Sequence, residues 1–180
     1  MSTFAETDLL LRYPIGRPPR QGELVSGQLQ AAVASIAALP ENLRSAVADL
    51  SDAQMETPYR EGGWSVRKLV HHVADSHINM FVRFKLAMTE DWPTIRPYDQ
   101  DTWTELADSR LPVEVSLTLL KSLHRRWIAI MESMSEEDWQ RGFVHPETGN
   151  WTLAQAALLY GWHGQHHVAH ITALRKRMDW

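Results

Sequence analysis

The stretch GWHGQHHVAH, residues 161–170, places four of the chain's nine histidines within eight positions. Each residue of an α-helix advances about 100°, so relative to His163 the rings of His167, His170 and His166 fall at about +40°, −20° and −60°. Ala156, Leu159 and Leu174 lie on the same face, so the four imidazoles continue an apolar stripe and point toward a core. An imidazole pair at i, i+4 can aim two ring nitrogens at one ion. Two such pairs are present, His163 with His167 and His166 with His170. The alternative is a set of buried neutral rings, each held by a neighbour. Four on one arc would be costly to satisfy that way, which favours a metal.

Two ligands rarely complete a site, and the chain contains no cysteine. Disulfides, thiolate zinc sites, iron–sulfur clusters and a cysteine nucleophile are thereby excluded, and further ligands must be His, Asp or Glu. A second histidine-bearing segment, LVHHVADSHINM, offers His71, His72 and His77, and periodicity alone does not choose among them. From His72, residues Ser76, Asn79 and Arg83 form a narrow polar seam, whereas His77 lies among Val70, Val73, Phe81 and Phe84 and reads as a packed core histidine. His124 and His145 read as structural or solvated. HExxH, Glu-x-x-His, GxSxG and P-loop patterns are absent, and the HPE at 145–147 lacks the cysteines of a deaminase. A mononuclear three-histidine site survives this comparison.

These residues must be carried on helices. Four long segments show helical periodicity and nothing alternates convincingly with period two. The first runs from about Gln21 to Leu50, with Pro40 expected to break or kink it. The second opens after Ser65, a suitable N-cap, the third begins at Pro112, and the fourth runs from near Thr152 to about Met178. Ser135 is expected to cap a short additional helix over SEEDW. The expected architecture is all-α, a four-helix bundle with long irregular connections, and one domain over residues 1–180. The connection at 89–110, with two prolines and two tryptophans, has the length of a lid or binding segment. RYPIGRPPRQG near the start reads as irregular and could wrap across the bundle.

A length of 180 residues with 44% apolar and 22% charged residues suits an ordinary folded domain. The net charge of −4, with both signs interspersed, gives no support to nucleic-acid binding. No apolar run approaches the roughly 20 residues a membrane-spanning helix needs. The N-terminus lacks a basic segment followed by a long apolar one, so the expected location is the cytoplasm.

Taken in order, YPIG, TPYREGGWSVRKLVHHVADSH, RFKLAMTED, PTIRPYDQDTW, HPETG and LYGWHGQHHVAHI make the chain resemble the DinB/YfiT-like metalloenzymes, and their YfiT branch in particular. The resemblance covers nearly the whole chain. It implies a four-helix bundle holding one divalent metal, zinc or nickel, through three histidines from two helices, and a metal-dependent hydrolase activity. By position, the ligands implied are His72, which precedes the hydrophobic-Ala-Asp element, and the HxxxH pair His163 and His167. His166 and His170 become neighbours of the site, in contact with ligands or substrate. The resemblance also implies a homodimer.

Three protein ligands leave a coordination position open, where a water or thiol can be activated toward a small-molecule substrate. Hydrolysis is one expectation. Transfer of a low-molecular-weight thiol of the bacillithiol type to an electrophile is the alternative, since the wider superfamily resembles such enzymes. A non-catalytic metal-stabilised binding protein is a third. Tyr160, Trp162 and Arg83 could shape a pocket, but core or surface roles are the expectation for each.

Overall fold

Side-chain caps mark the starts of two of the four long helices and of three short ones. The computed structural model describes residues 4–20 and 27–180, with side chains described from residue 8 onward in the first segment. The long helices are α2 (Gln28–Val47), α4 (Val66–Thr89), α6 (Glu114–Ser133) and α8 (Leu153–Met178); α1 (Phe4–Arg12), α3 (Asp52–Met55), α5 (Gln100–Trp103) and α7 (Glu136–Gln140) are shorter. Ser65 accepts from the Lys68 amide at the start of α4. Thr152 and Gln155 exchange reciprocal bonds at the start of α8, and Ser135 and Asp138 do the same at α7. Each pair satisfies amides that a helix start leaves without partners. Residues 21–26, expected to open the first helix, lie outside the described residues.

The structure adds to or departs from the sequence expectation at three points. Helix α2 runs through Pro40 without a break. Its neighbours hold it on both sides: α2 packs against α6 and α8, while α4 packs against the same two helices. Residues 4–12 form a helix. Finally, Gly142–His145 (β1) and Gly149–Thr152 (β2) pair as an antiparallel hairpin. Four-residue strands with Phe143 as the one fully buried side chain carry too little alternation to be read as strands.

The hairpin anchors the long connection after α4. Ile95 donates to the Val144 carbonyl and Val144 donates to that of Pro93, at 3.0 Å each. Arg141 donates to the carbonyls of Ala87 and Glu90, supplying partners at the end of α4. The 89–110 segment is therefore tied to the bundle at its base, with α5 and a 3₁₀ turn at Ala107–Arg110 farther along.

Two apolar clusters fill the bundle. One gathers Ile36, Phe84, Trp127, Phe143 and Leu153; the other gathers Leu39, Leu43, Leu69, Leu120, Ile171 and Leu174. The inward histidines of α8 lie beside its close contact with α2, where the backbones approach at Gly161 and the Leu39 side chain packs on Gly164. A Cβ at Gly161 would meet the Ala32 Cα at 2.9 Å, and one at Gly164 would meet Leu39 Cδ2 at 2.7 Å. Both glycines flank His163, so the α2–α8 contact fixes the height and rotation at which that ring enters the core. No helix among the described residues is long and apolar enough to cross a membrane.

The two glycines should respond differently to alanine. At Gly161 the obstacle is backbone, so Gly161→Ala is expected to destabilise by about 1–3 kcal/mol through overpacking. At Gly164 the obstacle is the flexible end of Leu39. Gly164→Ala should be close to neutral, because relief of the helix penalty of glycine, about 1 kcal/mol, offsets the local crowding. Urea unfolding midpoints of the two variants test this, and equal losses would contradict it.

Candidate metal centre

His72 faces inward from α4, and His163 and His167 face inward from α8. One nitrogen from each ring lies within 4.8 Å of the others. His163 Nε2 and His167 Nε2 are 3.2 Å apart. Two nitrogens each bound about 2.0–2.1 Å from one zinc ion at a tetrahedral angle lie about 3.3 Å apart, so this spacing matches the bite of a two-imidazole site. The His72 ring packs on Trp64 with 4.5 Å between centroids and meets His167 nearly edge-on at 5.0 Å. Although His72 is only 3% exposed, no group among the described residues hydrogen-bonds to it. His72 reaches the cavity with His163 and His167, where a cation shared by the three rings would be its partner.

Burial also places these rings in the protonation state a metal requires. Desolvation lowers His72 to about 4. His163 and His167 are pushed well below the usual histidine range, by burial first and then by neighbouring imidazoles. All three are neutral near pH 7 and can offer a lone pair.

The remaining histidines separate by their partners. His71, adjacent to His72, is spoken for: its Nε2–H donates to the Leu111 carbonyl at 3.0 Å, and Nδ1 accepts from Ser116 at 2.7 Å. It ties α4 to the start of α6. His166 stacks on Trp162 with 4.3 Å between centroids. His170 stacks on Tyr59 at 4.1 Å and donates from Nε2 to the Arg12 carbonyl at 3.2 Å. His170 thus holds the N-terminal segment against α8, and Arg12 and Tyr13 line the cavity in front of the site. His145 accepts at Nδ1 from the Glu147 amide in the hairpin turn.

The sequence reading missed the partners of His163. His163 Nδ1 lies 3.3 Å from His77 Nε2, and His77 Nδ1 lies 3.0 Å from His124 Nε2. His124 Nδ1 lies 2.7 Å from the Ile36 carbonyl. His77 is fully buried, as its apolar neighbours suggested, but it also bonds to the site. His124 belongs to α6, and nothing in the sequence near it signals a connection to α8.

Two cavities meet at the site. The first, about 520 Å³, is bounded by Arg12, Arg60, Trp64 and Trp162 and reaches His72, His163 and His167. The second, about 450 Å³, is bounded by Ser76, Arg83, Tyr98, His145 and Tyr160 and reaches His163. Gln100 lines both, so the 89–110 segment forms the wall between them. The polar seam read from His72 contributes Ser76, which bonds to the Tyr160 hydroxyl at 2.9 Å, and Arg83, which donates to the Arg96 carbonyl. Asn79 instead bonds back to the Asp75 carbonyl.

The chain is similar to known proteins over nearly its whole length. Residues 35–171 match the family model of the DinB superfamily. A Bacillus cereus protein provisionally named a metal-dependent hydrolase is 52% identical over 170 residues, covering 94% of this chain and 98% of its own length. A Bacillus anthracis protein with the same provisional name is 51% identical over the same span. YfiT from Bacillus subtilis, described as a probable metal-dependent hydrolase with an unusual four-helix bundle topology, superposes with a TM-score of 0.90. It is 45% identical, and the match covers 95% of this chain and 99% of that one. The four-helix bundle protein TT2238, 16% identical with a TM-score of 0.52, shares the fold over 82% of this chain and 98% of its own.

Two outcomes are expected. Substituting His163 or His167 with Ala should abolish retention of a divalent metal and lower the melting temperature of the metal-loaded protein. Unchanged metal content by elemental analysis would contradict the ligand set. Metal-free stability should also depend on pH. His124, His166 and His170 have pKa values of about 4 in the folded chain, lowered first by burial, against 6.5 when exposed. Between these values the unfolded chain binds more protons, so stability is complete above about pH 6.5 and declines as pH falls toward 4. Asp75, raised to about 6 chiefly by burial, acts in the opposite sense, but it is one group against several lowered histidines, His72 among them. A melting temperature that stays flat from pH 7 to 5 would mean these rings are not buried neutral.

Proposed function

The chain belongs to the DinB superfamily, and from that premise we propose that it is a metal-dependent hydrolase whose mononuclear divalent centre, zinc or nickel, is held by His72, His163 and His167. The observation that carries this reading is the 3.2 Å approach of His163 Nε2 to His167 Nε2, with the partnerless His72 ring beside them and a cavity in front. A divalent cation with three protein ligands and an open position supplies Lewis-acid chemistry, lowering the pKa of a bound water or thiol and polarising a carbonyl.

The protein's own residues supply the binding surface. Trp64 and Trp162 give the first cavity flat apolar walls, and Arg60 and Arg12 place cationic groups on its rim. Such a mixture suits a small molecule with an apolar body and a polar or anionic end. His166 and His170 present neutral rings there. With pKa values near 4, they act as hydrogen-bonding groups and not as bases poised near neutrality.

The pair of cavities meeting at His163 favours a second reading, in which two reactants approach one centre. A low-molecular-weight thiol such as bacillithiol would occupy one cavity and an electrophile the other. The chain has no cysteine of its own, so the thiol would be a cosubstrate.

A paired assay separates the two. Zinc- or nickel-loaded protein is given ester and amide substrates without thiol, and in parallel bacillithiol with monochlorobimane. Hydrolysis that disappears in His163→Ala, without metal-dependent conjugation, supports the hydrolase reading. Metal-dependent conjugation without hydrolysis overturns it in favour of thiol transfer.

A further inference from the structure

An α-helical amide donates to the carbonyl four residues earlier, so the amide of residue 40 would normally serve Ile36. Residue 40 is proline and has no N–H to donate. The Ile36 carbonyl, in the middle of a packed helix whose Ile36 side chain is fully buried, is therefore left for another donor, and His124 reaches it at 2.7 Å.

That bond has a consequence for three rings. A carbonyl only accepts, so His124 Nδ1 must carry the proton. His124 is buried and neutral, so its Nε2 is bare and can only accept. Its partner His77 Nδ1, at 3.0 Å, must then donate. His77 is also neutral, so its Nε2 is bare and accepts from His163 Nδ1 at 3.3 Å. His163 thus holds its proton on Nδ1, and its Nε2, the atom 3.2 Å from His167 Nε2, presents a lone pair to the site.

We propose that Pro40, through the carbonyl it frees, sets a relay of positioning residues, His124 and His77, that locks His163 in the one neutral tautomer able to ligate through Nε2. The chain of bonds spans four helices, from Ile36 on α2 through His124 on α6 and His77 on α4 to His163 on α8, so all four long helices contribute. Trp127 and Tyr160 cover it edge-on, with centroids 5.8 Å and 5.0 Å from that of His77. A metal-binding imidazole commonly gives its second N–H to a carboxylate or carbonyl. Here the carbonyl acts at a distance through two more imidazoles. The proposal takes His163 as a ligand from the reading above, but the tautomers it requires exist without a metal.

The test uses the full-length protein with zinc as the probe. Long-range ¹H–¹⁵N spectra of the metal-free protein should show Nδ1-protonated rings for His124, His77 and His163. Nε2 protonation at His124 or His77 overturns the relay. His124→Leu should weaken zinc binding by about 10–100-fold in chelator competition, the range for loss of a partner behind a ligand. Unchanged affinity in a folded variant overturns the proposal. Pro40→Ala keeps every imidazole and returns an amide donor to the Ile36 carbonyl, so it answers the question even if His124→Leu does not fold. It should weaken zinc binding several-fold while the metal-free melting temperature is unchanged or raised. Undiminished affinity would remove Pro40 from the relay. If the wild type shows the three tautomers but binds no divalent metal, the relay stands and the metal reading fails.

Discussion

A buried imidazole has two nitrogens, and in a neutral ring one must donate while the other must accept or meet a cation. Seven of the nine histidines here are buried, and much of the architecture is a set of answers to that requirement. His71 is answered by Ser116 and a backbone carbonyl, and in being so answered it joins α4 to α6. His170 is answered by the Arg12 carbonyl, which brings the N-terminal segment to the cavity. His124 is answered by a carbonyl that a helix would ordinarily have used itself.

His72, His163 and His167 are the rings whose nitrogens converge on one point, whereas His166, in the same cavity, stacks on Trp162 with its Nδ1 buried and unpartnered. Rings bonded to a carbonyl or hydroxyl stitch elements together, whereas the three that face one another form the candidate ligand set. The same test separates His71 from His72, neighbours in sequence with different fates. Consecutive residues point about 100° apart around α4, so one ring finds a hydroxyl and a carbonyl while the other finds two imidazoles and Trp64.

The close contact between α2 and α8 makes this arrangement possible. Gly161 and Gly164 remove the side chains that would hold the helices apart, and His163 sits between them. Pro40 lies on the facing helix, one residue beyond Leu39, which packs on Gly164. Proline in a helix interior normally costs stability because it removes a donor and crowds the preceding turn. Here the missing donor is replaced from another helix, and the tight packing of α2 between α6 and α8 carries the chain through without a break.

Several features were legible from residue order alone because they depend on local chemistry. Ser65 and Ser135 cap the helices they precede, since capping bonds span three residues, and the last helix begins at Thr152 as its pattern indicated. The inward face of α8 follows from the helical repeat, and the YfiT-like motif order pointed to His72. The short hairpin was not legible, because its strands are stabilised by pairing and by Phe143 in the core and not by alternation. Nor was the relay. The separations between its members, 88 residues from Ile36 to His124 and 86 from His77 to His163, place them beyond any local pattern. Composition and periodicity by themselves determined that this chain forms long amphipathic helices with histidines turned inward and no thiolate among its ligands. Which imidazoles find a protein partner, and which are left facing one another, was decided only by the packing of four helices, because a hydrogen bond depends on distances of about 3 Å that sequence separation does not specify.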